Sequence, residues 1–359
     1  MELTPEQNHA LEEILKFKKD IITLGGWAGT GKSTVVSQLH QKLPEFAVAA
    51  FTGKAANVLR KKGISIASTI HSLIYKPVCD PKTGKIMLDE NGSPVFELNP
   101  ALACKGIIVD EASMVSREIH DDLKSFGLPL VFVGDHGQLE PVGDSVNLMA
   151  KPDLTLEQIH RNAGEIAHFA EFIRKGYRPA AFAQKMPKKV FFIGKYDAEN
   201  YFTKVDQIIC AYNRTRVTVN QTVRDILGYD ADWPVLNDRI MCLKNDHDKG
   251  LFNGMQGTIT KMRGKRPKNQ IEFCSNNMNF EVRFNPKQFN MEKYDGRDFS
   301  RGDPTPFDYA YCITAHKSQG DEWGNVMVLE QKCSNWDHKR WAYTAASRAK
   351  ESLVWVEGY

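Results

Sequence analysis

Short apolar runs alternate with amphipathic stretches along most of the chain. In the first half, four apolar runs have the length of buried strands, and helical patterns lie between them. Because strands that are apolar at nearly every position are buried on both faces, this pattern predicts a parallel sheet covered by helices. The predicted strands are Ile21–Leu24, Ala47–Phe51, Gly106–Val109 and Leu130–Val133, and the predicted helices are Val35–Leu43, Ala55–Lys62 and Ser116–Phe126.

The second half contains another set of elements of the same kind. Its predicted strands are Val190–Ile193, Ile208–Tyr212, Val326–Leu329 and Leu353–Val356, and its predicted helices are Thr215–Leu227 and His338–Ala349. Alternation of strands and helices is typical of parallel α/β layers. The sequence therefore predicts an α/β fold with two parallel-sheet domains in tandem.

Two segments interrupt this alternation. Residues 75–100 contain Asp80-Pro81, Thr83-Gly84 and Asn91-Gly92 between short apolar pieces, and this pattern predicts an inserted β-hairpin. Its predicted strands are Lys85–Leu88 and Pro94–Leu98, joined by Asp89–Ser93. Residues 250–306 are rich in Gly, Asn and basic residues and contain alternating pieces, which predict a small antiparallel β insertion. The expected domains are 1–177 with the hairpin at about 75–100, then 178–249 with 307–359, and 250–306 as the insertion.

Composition excludes several classes of protein. Of 359 residues, 42% are hydrophobic and 25% are charged, which is ordinary for a globular protein. The seven cysteines stand singly without a CxxC pair, so we expect a reducing compartment and neither a zinc site nor a disulfide framework. The N-terminus lacks the pattern of a signal peptide, and no apolar run is long enough to span a bilayer. A net charge of +3 means that any nucleic acid must be bound by a local groove.

The segment Gly26-Trp27-Ala28-Gly29-Thr30-Gly31-Lys32-Ser33 is a complete G-x-x-x-x-G-K-[ST] motif. It follows a predicted strand and precedes a predicted helix, which is the context that a P-loop requires. Backbone N–H groups of such a loop converge on phosphate oxygens, and the helix N-terminus adds partial positive charge. The motif predicts an ATP site in which Lys32 reaches the β- and γ-phosphates and Ser33 ligates Mg²⁺, and it places Gly26, Ala28, Gly29, Thr30, Gly31 and Thr34 at the nucleotide.

Two further strands end in polar residues of the kind that a P-loop needs. Ile107-Ile108-Val109 delivers Asp110 and Glu111, where Asp110 is expected at Mg²⁺ and Glu111 is expected to orient or deprotonate the attacking water. Another apolar strand precedes Gly134-Asp135-His136-Gly137-Gln138, at the sheet edge where ligands of α/β proteins bind. Gln138 is predicted to sense the γ-phosphate, whereas Asp135 serves either this site or only a turn.

The ordered motifs resemble those of superfamily 1 helicases, and most closely the RecD-like and Dda-like branch, superfamily 1B. The resemblance rests on Gly26–Ser33, Phe51–Ala56, Ser68–Leu73, Asp110–Ser113, Gly134–Leu139, Ile159–Arg161, Asn253–Gly257, Thr314–Gly320 and Tyr343–Lys350, and it spans residues 3 to 356. Ser347 stands where Thr is commoner in the family, and the insertion at 250–306 is shorter than in many relatives. No catalytic side chain of the family is missing.

The resemblance implies a role for individual residues. Gln7 matches the glutamine that reads adenine, although it also fits an exposed residue before a helix. Arg161 and Arg348 match two arginines that reach the γ-phosphate and stabilise the transition state, and Gly320 matches a nucleotide-binding position. Residues that match DNA-backbone contacts are Thr52, Lys54, His71, Thr314 and His316. Such groups position a strand without reading its sequence.

Some features stay open at the level of sequence. Lys317 and Gln319 fit either the nucleotide or a domain interface, and Asn213 and Asn220 match a family segment of unassigned role. The basic run Lys261–Lys268 fits either DNA phosphates or a solvated loop. The hairpin is either a pin that splits duplex, as in Dda-like helicases, or an element packed on its own domain.

The expected function is that of an ATP-dependent DNA helicase with two RecA-like domains, which translocates 5′→3′ on single-stranded DNA. Expected cofactors are ATP and Mg²⁺, and expected partners are single-stranded DNA, single-strand/duplex junctions and proteins of replication or repair. The chain is expected to act as a monomer without a membrane, in the cytoplasm, nucleoid-associated or in a phage-infected bacterium. The rival is a P-loop ATPase switch that regulates a protein partner, which explains the P-loop but leaves Thr314–Gly320 and Arg348 without a purpose.

Overall fold

The computed structural model describes residues 3–87, 95–100, 102–139, 146–159, 164–229, 233–244, 246, 249–263, 269–275, 278–293, 304–332 and 336–359, with Lys54 described by its backbone alone. These residues form two compact units. The first runs to residue 177 and includes 339–347, and the second contains 178–338 and 348–359. Sequence prediction assigned all of 307–359 to the second domain. Residues 339–347 pack in the first unit because Tyr343 and Thr344 hydrogen-bond there.

The first unit contains a six-stranded sheet in which all paired neighbours are parallel. Its strands, numbered in chain order, are β1 (Ile21–Gly26), β2 (Phe46–Ala50), β3 (Ser68–Thr69), β6 (Gly106–Asp110), β7 (Leu130–Gly134) and β8 (Leu154–Leu156). The order across the sheet is β3-β2-β6-β7-β1-β8. Nearly every residue of the central strands is buried. The structure thus confirms the four predicted strands and the parallel α/β fold.

Helices cover this sheet, and several begin at a side chain that caps the first turn. The helices are α1 (Pro5–Leu15), α2 (Lys32–Lys42), α3 (Gly53–Lys61), α4 (Ile70–Ile74), α5 (Arg117–Ser125), α6 (Gly164–Arg174) and the later α9 (His338–Ala346). The hydroxyls of Thr4, Thr52, Thr69 and Ser116 each accept a hydrogen bond from a backbone N–H in the first turn that follows. Such capping satisfies donors that have no partner within the helix.

The inserted segment forms a small antiparallel pair with a register that differs from the prediction. Strand β4 (Tyr75–Pro77) pairs with β5 (Phe96–Leu98), with Tyr75 opposite Leu98. Val78 then bonds to both Val95 and Met87, so the chain extends the pair beyond Pro77. The predicted strand at Lys85–Leu88 was therefore not the main partner of Pro94–Leu98. Residues 88–94, which include the predicted turn, lie outside the described residues.

The described part of the second unit contains a five-stranded parallel sheet and two α-helices. Its strands are β9 (Val190–Ile193), β10 (Gln207–Cys210), β16 (Cys312–Thr314), β17 (Trp323–Leu329) and β18 (Ala349–Val356), in the order β16-β10-β17-β18-β9. The helices in this unit are α7 (Pro179–Ala183) and α8 (Asn213–Ile226). The apolar runs predicted as strands all lie here, and β17 begins three residues earlier than predicted. The second parallel sheet is confirmed.

An antiparallel sheet of five strands completes the second unit. It consists of β11 (Arg239–Cys242), β12 (Gln256–Arg263), β13 (Gln270–Ser275), β14 (Met278–Arg283) and β15 (Phe307–Tyr309), in the order β14-β13-β12-β11-β15. Two of these strands lie outside the predicted insertion at 250–306. The sheet therefore begins before that segment and ends after it, because β11 pairs with β12 on one side and with β15 on the other.

Buried polar side chains join α8 to the strands beside it. Arg224 and Asp238 form an ion pair at 3.1 Å with both side chains fully buried, and Arg216 pairs with Asp308. Asn220 donates to the carbonyls of Tyr309 and Cys312 and accepts the N–H of Cys312. Asn220, whose role was open, is thus a structural residue that holds α8 against β16.

No helix in the described part of the chain is both long and apolar enough to cross a membrane.

Candidate active site

Three polar segments of the first unit meet at one edge of its sheet. Strand β7 lies between β6 and β1, and all three strands run parallel. Their carboxyl ends therefore present Asp110 and Glu111, then Asp135 to Gln138, and then the P-loop side by side. Ligands of open α/β sheets bind at this edge. Parallel pairing thus brings together groups that are widely separated along the chain.

The P-loop has the backbone geometry that phosphate binding requires. Gly29 and Gly31 have φ values of 81° and 82°, a left-handed region that favours glycine. Lys32 is the first residue of α2, so Ser33 and Thr34 lie in its first turn, where backbone N–H groups lack helical partners. A side chain at Gly26 would come within 2.7 Å of the Thr30 hydroxyl. The nucleotide-binding residues predicted here lie together in one loop.

The carboxylate of Asp135 is buried and contacts several charged and polar groups of the site. It is fully buried and lies 3.7 Å from the Lys32 ammonium, which itself donates to the carbonyls of Gly26 and Trp27 at 2.8 and 3.0 Å. Asp135 also accepts from Gly137 N–H at 2.9 Å and from the Gln138 amide at 3.4 Å. Asp135 therefore accepts the N–H of Gly137 in its own turn and also lies beside Lys32 of the P-loop, so the structure is compatible with both alternatives left open by the sequence.

Tyr343 of α9, which sequence reasoning did not assign, connects the P-loop to Asp135. Its hydroxyl accepts the N–H of Ala28 at 2.6 Å and donates to the Asp135 carboxylate at 2.7 Å. The next residue, Thr344, accepts the N–H of Leu139 at 3.0 Å. Two consecutive residues of α9 therefore bond to two loops of the first unit. The contact spans 315 residues of sequence, so no local pattern could have found it.

Trp27, inside the P-loop, is enclosed by aromatic and cationic groups. The His136 ring lies 3.5 Å from the Trp27 ring, the Arg174 guanidinium stacks 3.6 Å above it, and Tyr343 meets it edge-on. A side chain at Gly137 would come within 2.6 Å of Trp27. Burial lowers the pKa of His136 to about 4, and nearby Lys32 acts in the same direction. His136 is therefore neutral near pH 7 and adds no further positive charge.

Asp110 and Glu111 follow β6 in an unusual backbone conformation. Glu111 has φ 55° and ψ 39°, a left-handed conformation that is rare outside glycine and is often found at functional sites. The Asp110 carboxylate accepts the N–H of Glu111 at 3.0 Å. Burial raises the pKa of Asp110, opposed by that hydrogen bond and by Lys32. A poorly hydrated carboxylate of this kind is stabilised by a nearby cation.

The two glutamines assigned to the nucleotide are both buried at this edge. The Gln138 Oε1 is buried without a hydrogen-bond partner among the described residues, and this leaves an acceptor available to a ligand or water. Gln7 donates to the Thr30 carbonyl at 2.9 Å and accepts the Thr4 N–H at 3.0 Å. The alternative of an exposed glutamine is wrong, since Gln7 is 3% exposed. Its amide holds α1 against the P-loop.

Of the two arginines assigned to the γ-phosphate, the structure describes one. Arg161 lies in 160–163, outside the described residues. Arg348 belongs to the second unit, is 4% exposed, and donates to the Asp321 carbonyl at 3.1 Å. The preceding Gly320 has φ 78°, so the turn that presents the Asp321 carbonyl uses a conformation open to glycine. The structure brings Arg348 and the Thr314–Gly320 motif together.

Predicted DNA-contacting residues of the first unit lie near the hairpin and helix starts. Thr52 caps α3, and the backbone of Lys54 lies in its first turn. His71, in α4, packs between Tyr75 of β4 and Phe96 of β5, with ring centroids 4.6 and 4.7 Å away. The Tyr75 hydroxyl in turn donates to Asp122 of α5. His71 therefore sits at the base of the hairpin.

The corresponding residues of the second unit cluster after β16. Thr314 ends this strand, and His316 follows within two residues and meets the Trp336 ring edge-on. Burial lowers the pKa of His316. Lys317 donates to Asn253 at 2.9 Å, which joins the Thr314–Gly320 and Asn253–Gly257 motifs. In the basic run, Lys261 pairs with Glu272 and Arg263 pairs with Glu281, while 264–268 lie outside the described residues.

Comparisons with known proteins agree with this arrangement. Residues 2–189 match the family described as AAA domain, and residues 309–356 match the UvrD-like helicase C-terminal domain. The ATP-dependent RecD2 DNA helicase of Deinococcus radiodurans is 26% identical over 385 residues, which cover 97% of this chain and 48% of that protein. This chain therefore spans about half the length of that relative.

Two further comparisons concern a phage relative and the fold. The ATP-dependent DNA helicase dda of Enterobacteria phage T4 is 32% identical over 160 residues, 41% of this chain and 34% of that protein. The crystal structure of Bacteroides Pif1 bound to ssDNA has a TM-score of 0.60 at 20% identity, covering 99% of this chain and 92% of that one. The chain thus belongs to the AAA domain family, and the order of its motifs is similar to that of superfamily 1B helicases.

Proposed function

We propose that this protein is an ATP-dependent DNA helicase that translocates 5′→3′ on single-stranded DNA and unwinds duplex. The observation that carries the proposal is the meeting of Lys32, Glu111 and Gln138 at one sheet edge of the first unit. The second unit is another parallel sheet, with Arg348 beside the Thr314–Gly320 motif. A P-loop ATPase that only regulates a protein partner does not need the second parallel sheet, Arg348 or the Thr314–Gly320 motif. Pif1 of Bacteroides has been solved with ADP-AlF3 and ssDNA, which supports the same pair of ligands here.

Hydrolysis is assigned to side chains of the first unit and to Arg348. Lys32 binds the β- and γ-phosphates, and Glu111 orients and deprotonates the attacking water. Gln138 uses its free Oε1 or its amide N–H to detect the γ-phosphate. Arg348 supplies positive charge where negative charge develops in the transition state. Loss of the γ-phosphate removes the contacts that favoured one conformation, and this difference drives movement along the strand.

The residues at the P-loop suit Mg²⁺. A serine hydroxyl and a carboxylate are oxygen ligands of the kind that Mg²⁺ prefers, together with phosphate oxygens and water. The raised pKa of Asp110 shows that its charge is poorly solvated and would gain from a cation. Ser33 and Asp110 are therefore the proposed holders, and the ion would neutralise phosphate charge during transfer.

The DNA-contacting residues are proposed on both units. Thr52, Lys54 and His71 serve the first unit, and Thr314 and His316 serve the second, through phosphate contacts that do not depend on sequence. The ligands are single-stranded DNA and its junctions with duplex. We further propose that the chain acts as a monomer in the reducing bacterial cytoplasm, and the six described cysteines are free thiols that fit such a compartment.

Unwinding of tailed duplexes tests the function directly. We expect a duplex with a 5′ single-stranded tail to be unwound in the presence of ATP, and a duplex with a 3′ tail to remain intact. Lys32→Ala is the matched inactive control, because it removes the phosphate-binding ammonium and leaves the buried core unchanged. Preference for the 3′ tail would refute the polarity. ATPase activity that single-stranded DNA does not stimulate, without unwinding, would favour the regulatory switch.

A further inference from the structure

The second unit carries an apolar groove at the β9 edge of its parallel sheet. The groove has a volume of about 780 Å³ and is lined by β9 itself and by side chains including Met186, Tyr201 and Val354. Met186 is 86% exposed and Phe191 is 48% exposed. Proteins rarely expose several large apolar side chains side by side unless a partner covers them. We call this feature the β9 groove.

The segment that supplies most of the groove lining is rich in positive charge. Residues 178–206 contain six lysine or arginine residues and three acidic residues, a net charge of +3, which equals the net charge of the whole chain. The exposed lysines of this segment are Lys185, Lys188, Lys189, Lys195 and Lys204. Lys204 also lines the groove. An apolar groove with a cationic rim is complementary to a ligand that has an apolar centre and acidic flanks.

The β9 groove lies away from the proposed DNA contacts of the same unit. Thr314 ends β16, and β16 and β9 form the opposite edges of the five-stranded sheet. With three strands between them and a spacing of about 4.8 Å per strand, the two edges are roughly 19 Å apart. A strand of DNA held at Thr314 and His316 therefore leaves the groove open. This separation favours a protein ligand over DNA.

We propose that the β9 groove binds an acidic peptide segment containing large apolar side chains, presented by a protein partner of the helicase. The apolar residues enter the groove between Met186 and Phe191, and the acidic residues face the lysine rim. As an edge strand, β9 also offers its backbone to an extended peptide, a common mode of peptide recognition. The claim that the peptide comes from a partner of a helicase rests on the proposed function. The claim that the β9 groove binds such a peptide does not depend on it.

Fluorescence anisotropy with a labelled peptide tests the proposal. The probe has a phenylalanine-rich centre flanked by aspartates, and two control peptides replace either the phenylalanines by serine or the aspartates by lysine. We expect saturable, salt-sensitive binding of the probe alone. Met186→Asp should weaken it about tenfold, since it places negative charge at an exposed apolar contact. Lys204→Glu should weaken it about threefold or more through charge reversal.

Matched variants in the same unit control for nonspecific effects. Met278→Asp changes another exposed methionine, and Lys287→Glu changes another exposed lysine, and both should bind the probe like the parent. Equal binding by Met186→Asp and the parent, or no binding at all, overturns the proposal. So does an equal loss of oligo-dT affinity in Met186→Asp, which would make the groove a DNA surface, or a dimer that Met186→Asp dissociates. ATPase stimulation by DNA is measured separately, so failure of the helicase assignment remains distinguishable.

Discussion

Replacing Tyr343 by phenylalanine removes one hydroxyl from α9 while its ring stays in place. That hydroxyl accepts the Ala28 N–H at 2.6 Å and donates to Asp135 at 2.7 Å. Because the Asp135 side chain is fully buried, water cannot readily replace the lost donor. Among the described residues, the carboxylate then keeps the Gly137 N–H at 2.9 Å and the longer contact to Gln138 at 3.4 Å as hydrogen bonds.

The cost of Tyr343→Phe follows from these two bonds. A hydrogen bond to a buried charged group is worth about 1.5–3 kcal/mol, and the backbone bond to Ala28 is worth about 0.5–1 kcal/mol. We expect the free energy of unfolding of the first unit to fall by about 2–4 kcal/mol. For a unit of this size each kcal/mol lowers Tm by roughly 2–4 °C, which gives a fall of roughly 4–16 °C.

Tyr343→Phe should also change nucleotide binding. Lys32 lies 3.7 Å from Asp135, and a carboxylate that has lost a donor attracts this ammonium more strongly. The competition withdraws Lys32 from phosphate, and a change of about 1 kcal/mol raises the KM for ATP roughly fivefold. Thermal unfolding and steady-state ATPase assays measure the two effects. Tyr177→Phe is the control, since Tyr177 belongs to the same unit and is 57% exposed. If Tyr343→Phe has the Tm and KM of this control, the hydroxyl bridge does not exist in solution.

Four other predictions concern the remaining parts of the site. Glu111→Gln should bind ATP but barely hydrolyse it, and normal turnover would refute its role as the base. Arg348→Ala should keep ATP affinity and lose most DNA-stimulated turnover, because its charge acts in the transition state; an unchanged stimulated rate would remove it from the site. Replacing Asp80–Ser93 by a short Gly-Ser link should preserve ATPase and translocation but reduce unwinding sharply, whereas undiminished unwinding would place strand separation elsewhere. Burial holds the pKa of His136 at about 4, below its ordinary 6.5, so the unfolded chain takes up its proton first and stability falls as pH drops from 6.5 to 4; His136→Gln should flatten this dependence, and an unaltered slope would contradict it.

The sequence was most informative where local pattern and chemistry coincide. Strands β1, β6 and β7 are short apolar runs, and each is followed directly by the polar residues of a motif. Burial of such runs on both faces leaves parallel pairing as the stable solution, and parallel pairing aligns their carboxyl ends. Nothing beyond this physics was needed to expect Lys32, Asp110 and Gln138 at one edge.

Contacts between distant segments could not be predicted in the same way. Tyr343 meets Ala28 across 315 residues and Thr344 meets Leu139 across 205 residues, so their pairing depends on the whole fold. The predicted pairing of the hairpin strands was wrong for a related reason. An Asn-Gly turn favours pairing of its immediate flanks, but β5 pairs instead with β4. There His71 packs between Tyr75 and Phe96, an aromatic cluster that the turn residues do not encode.

In the proposed ATP site, phosphate binding would exchange hydrogen bonds within the protein for hydrogen bonds to phosphate. Lys32 already donates to two P-loop carbonyls, and the Ala28 N–H already donates to Tyr343. ATP must replace these contacts. The net binding free energy is therefore the difference between the hydrogen bonds made to phosphate and those broken within the protein. When the phosphate leaves, the Lys32 ammonium and the Ala28 N–H return to these protein acceptors, so neither donor is left unsatisfied. The proposed motor, which would bind and release a nucleotide in every cycle, needs this balance, because tight binding without exchange would slow release.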